Sequence, residues 1–193
     1  MKLTTNNYYS EKANQSYMSV SQFKEFQKCE ECAMAQLNGL YEKPKTSALF
    51  LGSFVDEMLT GTLKTQTKFI VEHRTDIFQK GSKLNKCTDE ELTALLNDYS
   101  FKIFTDENKL YAEIVQALET VERIKKQPLM MQHLAGKQQK IMTGVIAGVP
   151  FKIKMDSYHP DKMIVDLKYM ASLRSPNMFE PMVKYWNYIA QGA

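Results

Sequence analysis

The residues most able to do chemistry lie between Gly148 and Lys168. This stretch reads as two strands joined by a tight turn. The first runs from Pro150 to Tyr158. Phe151, Ile153 and Met155 share one face; Lys152, Lys154, Asp156 and Tyr158 share the other, because strand side chains alternate. His159-Pro-Asp-Lys162 has turn chemistry, since proline presets the backbone and aspartate bonds to it. The second strand runs from Met163 to Tyr169, with Ile164, Asp166 and Lys168 on one face and Val165 and Leu167 on the other. Two converging carboxylates with a lysine one pleat away can hold a divalent metal and a phosphate. Mg²⁺ takes a few carboxylate oxygens together with water and phosphate oxygens. A nearby ammonium stabilises developing negative charge. This is the logic of metal-assisted phosphodiester hydrolysis.

An acidic-x-Lys triplet alone carries little information. Roughly one is expected by chance in a chain of this size, and Glu107-Asn-Lys109 is such a decoy in a helical segment. Asp166-Leu-Lys168 differs in context: it lies in a β-branched run, follows a turn, and has Asp156 on the preceding strand. The competing reading is a solvated hairpin face with scattered charges.

Asp156, a gap, and then Ile164-Val-Asp-Leu-Lys168 resemble the core of the PD-(D/E)xK nuclease superfamily. The preceding Gly148-Val-Pro-Phe-Lys-Ile-Lys-Met-Asp156 resembles its exonuclease VIII (RecE-like) and RecB-like branch, often found in phages and prophages. The resemblance runs from about Ser19 to the end and is sharp only at the hairpin. It implies that Asp156 and Asp166 bind Mg²⁺ or Mn²⁺, with the Leu167 carbonyl as a further ligand, and that Lys168 orients the attacking water. In that branch a Gly-x-x-x-His segment supplies another ligand; here Leu51-Gly-Ser-Phe-Val-Asp56 puts Asp56 in its place. A Glu on the strand before Gly148 is replaced by Gln138 or Gln139. A Gln-x-x-x-Tyr element is matched at its start by Tyr185-Trp-Asn-Tyr-Ile-Ala-Gln191, which implies that Gln191 holds Lys168 or substrate. The expected tyrosine is missing, so a chain lacking the C-terminal end of the domain is expected. Relatives that bind an iron–sulfur cluster use three late cysteines, and this sequence has none.

Composition bounds the rest. The 193 residues suffice for one domain with a real core. No apolar run approaches membrane-spanning length, and the polar N-terminus carries no secretory signal, so a cytoplasmic protein with no membrane partner is expected. Net charge is only +3, but eight basic residues face four acidic ones from Lys137 onward. That excess suits a phosphate-tracking surface, with Lys152, Lys154 and Arg174 as candidate DNA contacts. A solvated face explains the excess nearly as well. Cys29 and Cys32 lack a second pair to complete a zinc site and read, with Cys87, as ordinary thiols.

The remaining elements must position the hairpin. Residues 1–18 are polar and read as poorly ordered. Ser19 and Ser21 offer caps to a helix that Gly39 ends, with Phe23, Phe26, Met34 and Leu37 as its buried stripe. A second helix spans about Ser47 to Leu59, with Leu49, Phe50, Phe54 and Met58 buried. Gly52 would admit a close neighbour. Lys68–Glu72 reads as a short strand and Thr75–Asn85 as irregular. Thr88-Asp-Glu-Glu91 is a capping box for a helix to about Asn97. Asp106–Gln127 is amphipathic, and Pro128 stops it. Met130–Leu134 is a helical turn, in which His133 reads as structural. Gln139–Ala147 is a strand, and Phe179–Gln191 a helix whose first turn accommodates Pro181. Tyr185 and Trp186 read as core, with stacking on a base as the alternative for either.

The expected fold is α/β: a small mixed sheet, its centre an antiparallel meander over 139–169, flanked by helices in a restriction-endonuclease-like core with a helical insertion at 88–134. The expected function is Mg²⁺-dependent exonucleolytic processing of double-stranded DNA ends in recombination. The resemblance further implies a single-strand annealing recombinase as partner and a homo-oligomer. Two alternatives stand beside this reading. One is an endonuclease or CRISPR-adaptation-type nuclease; the other is a non-catalytic DNA-binding or assembly module of the same fold.

Overall fold

Two tight turns fix the sheet, which has four strands: β1 (Met18–Ser19), β2 (Lys137–Ile146), β3 (Val149–His159) and β4 (Met163–Val165). The structure, a computed structural model, describes residues 1–42, 44, 46–99, 103–170 and 176–185. Between β2 and β3, Ala147 (φ 49°) and Gly148 (φ 82°) form a two-residue turn with both backbones left-handed. That is the turn whose twist matches an antiparallel hairpin. Between β3 and β4, Lys162 N–H donates to the His159 carbonyl at 3.2 Å. Pro160 supplies the first central residue of this turn and Asp161 (φ 58°) the second.

β3 is the hub of the sheet. One edge pairs antiparallel with β2, from Lys137↔Tyr158 to Ile146↔Val149. The other edge pairs twice: parallel with β1 at Phe151 and Lys152, and antiparallel with β4 from Ser157 to His159. The mixed α/β architecture and its central antiparallel meander are as expected. The last strand is shorter than expected, ending at Val165 rather than Tyr169. The reason is packing, because Leu167 and Tyr169 lie against a helical core and leave the sheet.

The chain divides into two compact units. One comprises Met1–Lys45, Gly136–Asp166 and Met170–Ala193; the other comprises Thr46–Ala135 and Leu167–Tyr169. The first unit holds the sheet and three N-terminal helices: α1 (Glu11–Ser16), α2 (Val20–Lys28) and α3 (Glu30–Leu37). Ser19 and Gln22 cap α2 reciprocally. The expected single helix breaks at Cys29, whose extended backbone ends α2 and starts α3. The Cys29 sulfur accepts the Cys32 N–H at 3.2 Å. The two cysteines are paired as a disulfide, Cα atoms 5.3 Å apart. This corrects their reading as ordinary thiols. Phe23 and Met34 are more exposed than a buried stripe requires, whereas Ala33 is buried.

The second unit is helical: α4 (Ser47–Thr60), α5 (Leu63–Glu72), α6 (Arg74–Ile77), α7 (Asp89–Tyr99), α8 (Ala112–Lys125) and α9 (Pro128–Leu134). Its core joins Phe54, Val55 and Met58 of α4 to Ile70, Leu92, Leu96, Ile114 and Val121. Leu49, expected inside, is exposed. Lys68–Glu72 is helical, not a strand. Thr62 caps α5, and Gln66, Thr67 and Ile70 are buried at helical spacing. Gln66 also donates to the Glu57 carbonyl at 2.9 Å. The Thr88–Glu91 capping box forms as expected. α8 begins later than expected because Leu110 is held extended in a bridge to Phe78. Pro128 opens α9 as well as ending the previous run. After the sheet, α10 (Phe179–Tyr185) belongs to the first unit.

Residues 1–18 are folded, against expectation. Ser10 caps α1, Ala13 is wholly buried, and Tyr8 is 6 % exposed. What holds them is Lys152. Its side chain is 1 % exposed, and its ammonium donates to the Tyr8 carbonyl and to Asn14 Oδ1, each at 2.7 Å. It also sits 4.7 Å from the Tyr8 ring centroid. Burial pushes this lysine below its ordinary pKa. A buried ammonium without acceptors is costly, so the segment and the strand stabilise each other. Asn14→Ala is expected to lower stability by about 1–3 kcal/mol, the cost of a buried partner left unsatisfied. In a Lys152→Met background the same change should cost much less. Urea unfolding of the four proteins of this cycle measures the coupling.

Candidate functional site

The pairing register brings the two acids of the hairpin together. In the β3–β4 ladder Ser157 faces Val165 and Tyr158 faces Ile164. Continued by one residue, the same register sets Asp156 opposite Asp166. Directly opposed residues on neighbouring antiparallel strands have Cβ atoms about 4.5–5.5 Å apart and project from one face. Asp156 is half-buried and Asp166 is exposed. On the other edge of β3, the β2 register pairs Gln138 with Ser157 and Lys140 with Met155. This sets Gln139 opposite Asp156. Gln139, Asp156 and Asp166 thus stand in one row across three neighbouring chain segments. Gln139 has a positive φ of 48°, uncommon for a residue with a side chain and worth inspection where it abuts a polar site.

The arrangement fits a hard divalent cation in its donor chemistry. Two opposed carboxylates supply the charge and the oxygen ligands that Mg²⁺ favours, leaving positions for water and phosphate. Among the described residues no group of three or more His, Cys, Asp or Glu side chains is gathered in a form that could hold a metal.

The other expected residues are placed as follows. Lys168 is exposed, and Leu167 and Tyr169 on either side of it are half-buried against the helical core. Asp56 is half-buried on α4, where the Thr60 hydroxyl donates to its carbonyl at 2.9 Å and lies 3.3 Å from Oδ1. A Cβ at Gly52 would meet nothing within 4 Å among the described residues. Lys154 is half-buried, its ammonium 4.6 Å from the Tyr9 ring centroid and 5.6 Å from that of Tyr8. Lys152 is corrected as a DNA contact: its ammonium is enclosed by Tyr8 and Asn14 and does not reach the surface. Arg174, Trp186 and Gln191 lie outside the described residues.

Sequence reasoning missed Tyr8, Tyr9 and Asn14. The available signal was a tyrosine pair just before Ser10, a capping residue, in a segment otherwise too polar to suggest packing. Tyr8 is buried, and its hydroxyl lies 3.5 Å from the Lys152 carbonyl. Burial, with Tyr9 beside it, raises its pKa to about 12, so the phenol stays protonated at neutral pH.

Comparison with known proteins bears on this geometry. The model of the PDDEXK-like domain of unknown function (DUF3799) matches residues 19–193. The chain belongs to that family. It is also similar to a crystal structure from Eubacterium rectale that carries the name "Putative exonuclease", with 35 % identity and a TM-score of 0.72. The match covers 97 % of this chain and 64 % of that one, so the chain spans about two thirds of its relative's length. No curated protein matches the chain in sequence. Membership places the chain in the PD-(D/E)xK superfamily, whose nucleases generally use divalent metal ions. No helix among the described residues is long and apolar enough to cross a membrane.

The Gln139 backbone is open to test. A β-branched residue is a genuine outlier in the left-handed region. Gln139→Val is expected to cost about 1–3 kcal/mol of stability, whereas Gln139→Gly should be tolerated. Denaturant midpoints of the two variants decide it.

Proposed function

We propose that this chain is a metal-dependent deoxyribonuclease that processes the ends of double-stranded DNA. The observation that carries this reading is the opposition of Asp156 and Asp166 across β3 and the segment following β4. Membership of the PDDEXK-like family supports it, as does the likeness to a protein named for exonuclease activity.

In this reading Asp156 and Asp166 hold Mg²⁺ or Mn²⁺, with the Leu167 carbonyl as a further donor. The metal, when bound, would polarise the scissile phosphate and supply an acidified water. Lys168 follows Asp166 by two residues, and its ammonium orients the attacking water and opposes the charge that develops on phosphate. Asp56 as a further ligand, and Gln191 as a residue holding Lys168 or substrate, rest on the resemblance of their segments. So do the recombination context, a single-strand annealing partner, a homo-oligomer and a phage or prophage source. Gln139 brings an amide to the row and no charge, so the centre's negative charge comes from the aspartates.

A second reading, a non-catalytic DNA-binding or assembly module, is favoured by one observation. The described residues gather no three-carboxylate cluster. Calorimetric titration with Mn²⁺ separates the two, because a dead module gives no heat that depends on Asp156 and Asp166.

Asp166→Asn is expected to lower Mg²⁺-dependent cleavage of linear duplex DNA by at least about 100-fold, and Lys168→Ala by a similar factor. Full-rate cleavage by Asp166→Asn would remove the proposal. Covalently closed circular DNA should resist the wild-type protein; equal cleavage of circles and linear duplex would replace the exonuclease by an endonuclease.

A further inference from the structure

The face of β3 that carries Asp156 also carries a group that the cleavage chemistry leaves unused. Tyr9 is 70 % exposed, yet it is held on both sides along the chain. Tyr8 before it is buried and meets the Tyr9 ring edge-on, centroids 4.9 Å apart and planes at 86°. Ser10 after it caps α1. The backbone at Tyr8 is fixed by the Lys152 ammonium. An aromatic ring anchored this firmly and left open to solvent buries little apolar area for its own fold. The Lys154 ammonium lies 4.6 Å from its centroid, and Lys154 makes no ion pair with a carboxylate among the described residues. Lys154 and Asp156 are two residues apart on one strand, hence on one face and about 7 Å apart along it.

We propose that Tyr9 and Lys154 form a nucleotide subsite beside Asp156, in which Tyr9 stacks a base of a nucleic-acid strand and Lys154 meets its phosphate. The proposal rests on the nuclease reading above and names what holds the strand. A ring face is blind to base identity, so the subsite grips any sequence. One ammonium contributes one phosphate contact. Lys152, enclosed beneath Tyr8, is the positioning residue that holds the platform in place.

The test uses the full chain and a fluorescein-labelled single-stranded oligonucleotide carrying 2-aminopurine, in EDTA so that binding is read without cleavage. Tyr9→Ala should weaken binding about ten-fold and abolish the quenching of 2-aminopurine, and Tyr9→Trp should restore both. Lys154→Ala should reduce the slope of log affinity against log salt by about 0.7. Thermal melts of the Tyr9 variants should match wild type, because the ring is exposed. Wild-type affinity in Tyr9→Ala, weakened binding that Tyr9→Trp does not restore, or no oligonucleotide binding by the wild type would each overturn the subsite. The Asp166→Asn cleavage assay is independent of these outcomes. If Asp166→Asn is inactive while Tyr9→Ala binds normally, the nuclease stands and the subsite falls. If Asp166→Asn cleaves fully, the nuclease reading falls by itself.

Discussion

Pairing along both edges of β3 is the constraint on which the first unit depends. β2 occupies one edge over its whole length, while β1 and β4 share the other. Strand side chains have a period of two, so a slip of one residue would carry every side chain of β3 to the opposite face. Lys152 would lose Tyr8 and Asn14, and Asp156 would lose its place opposite Asp166. The register is pinned from both ends. The Ala147-Gly148 turn closes one hairpin and the Pro160-Asp161 turn the other. A third pin comes from outside the ladder: Ser157 is wholly buried, and its hydroxyl accepts the Gly136 N–H at 2.9 Å, just before β2 begins. A Cβ at Gly136 would fall 2.5 Å from that hydroxyl oxygen, so glycine is needed there for the close approach.

Electrostatics on the same face follow from this register. Lys152, Lys154 and Asp156 alternate up one side of β3, and Asp166 joins them from the neighbouring segment. Two carboxylates opposed at this distance repel each other. The partners of the buried ammonium are neutral, a carbonyl and an amide oxygen, so its charge is solvated without being cancelled by an acid. Lys154, by contrast, is two residues and about 7 Å along the strand from Asp156, where Coulomb attraction at an effective dielectric of about 20 is on the order of 2 kcal/mol. Lys154 therefore lowers the cost of placing Asp156 on this face. Burial of Lys152 then has a consequence: the cation nearest the aromatic segment holds that segment from within.

How far these features were legible in the sequence depended on how local their causes are. The His159–Lys162 turn, the Ser19 and Thr88 caps, and the alternation along 150–158 come from neighbouring residues and were readable. Asp156 lies on β3 as the alternation implies, whereas Asp166, read onto the second strand, follows its end at Val165. Lys68–Glu72 was misread because its Phe-Ile-Val run has strand-like composition, while the deciding burial of Gln66, Thr67 and Ile70 repeats at helical spacing. Residues 1–18 were misread for the opposite reason. Their order comes from a strand more than 130 residues away, through contacts to Lys152 that no local pattern records. Lys152 was misassigned with them, since a lysine alternating with apolar residues on a strand reads as solvent-facing unless its acceptors are known. The disulfide was visible as a spacing, but its pairing depends on the extended backbone at Cys29 that breaks the helix.

The short β4 means that different contacts fix the backbone on either side of Asp166. Had the strand continued to Tyr169, Asp166 and Lys168 would both be fixed by the ladder, as rigidly as Tyr158 and Ile164 are. Instead the ladder ends at Val165. Asp166 inherits its position from the last paired residue, while Lys168 sits between Leu167 and Tyr169, whose side chains are fixed by apolar packing on the helical core. The residue before the acid is therefore fixed by the ladder, and the residues beside the lysine by their burial. The division of labour within three residues, Asp166-Leu-Lys168, follows from where the strand stops.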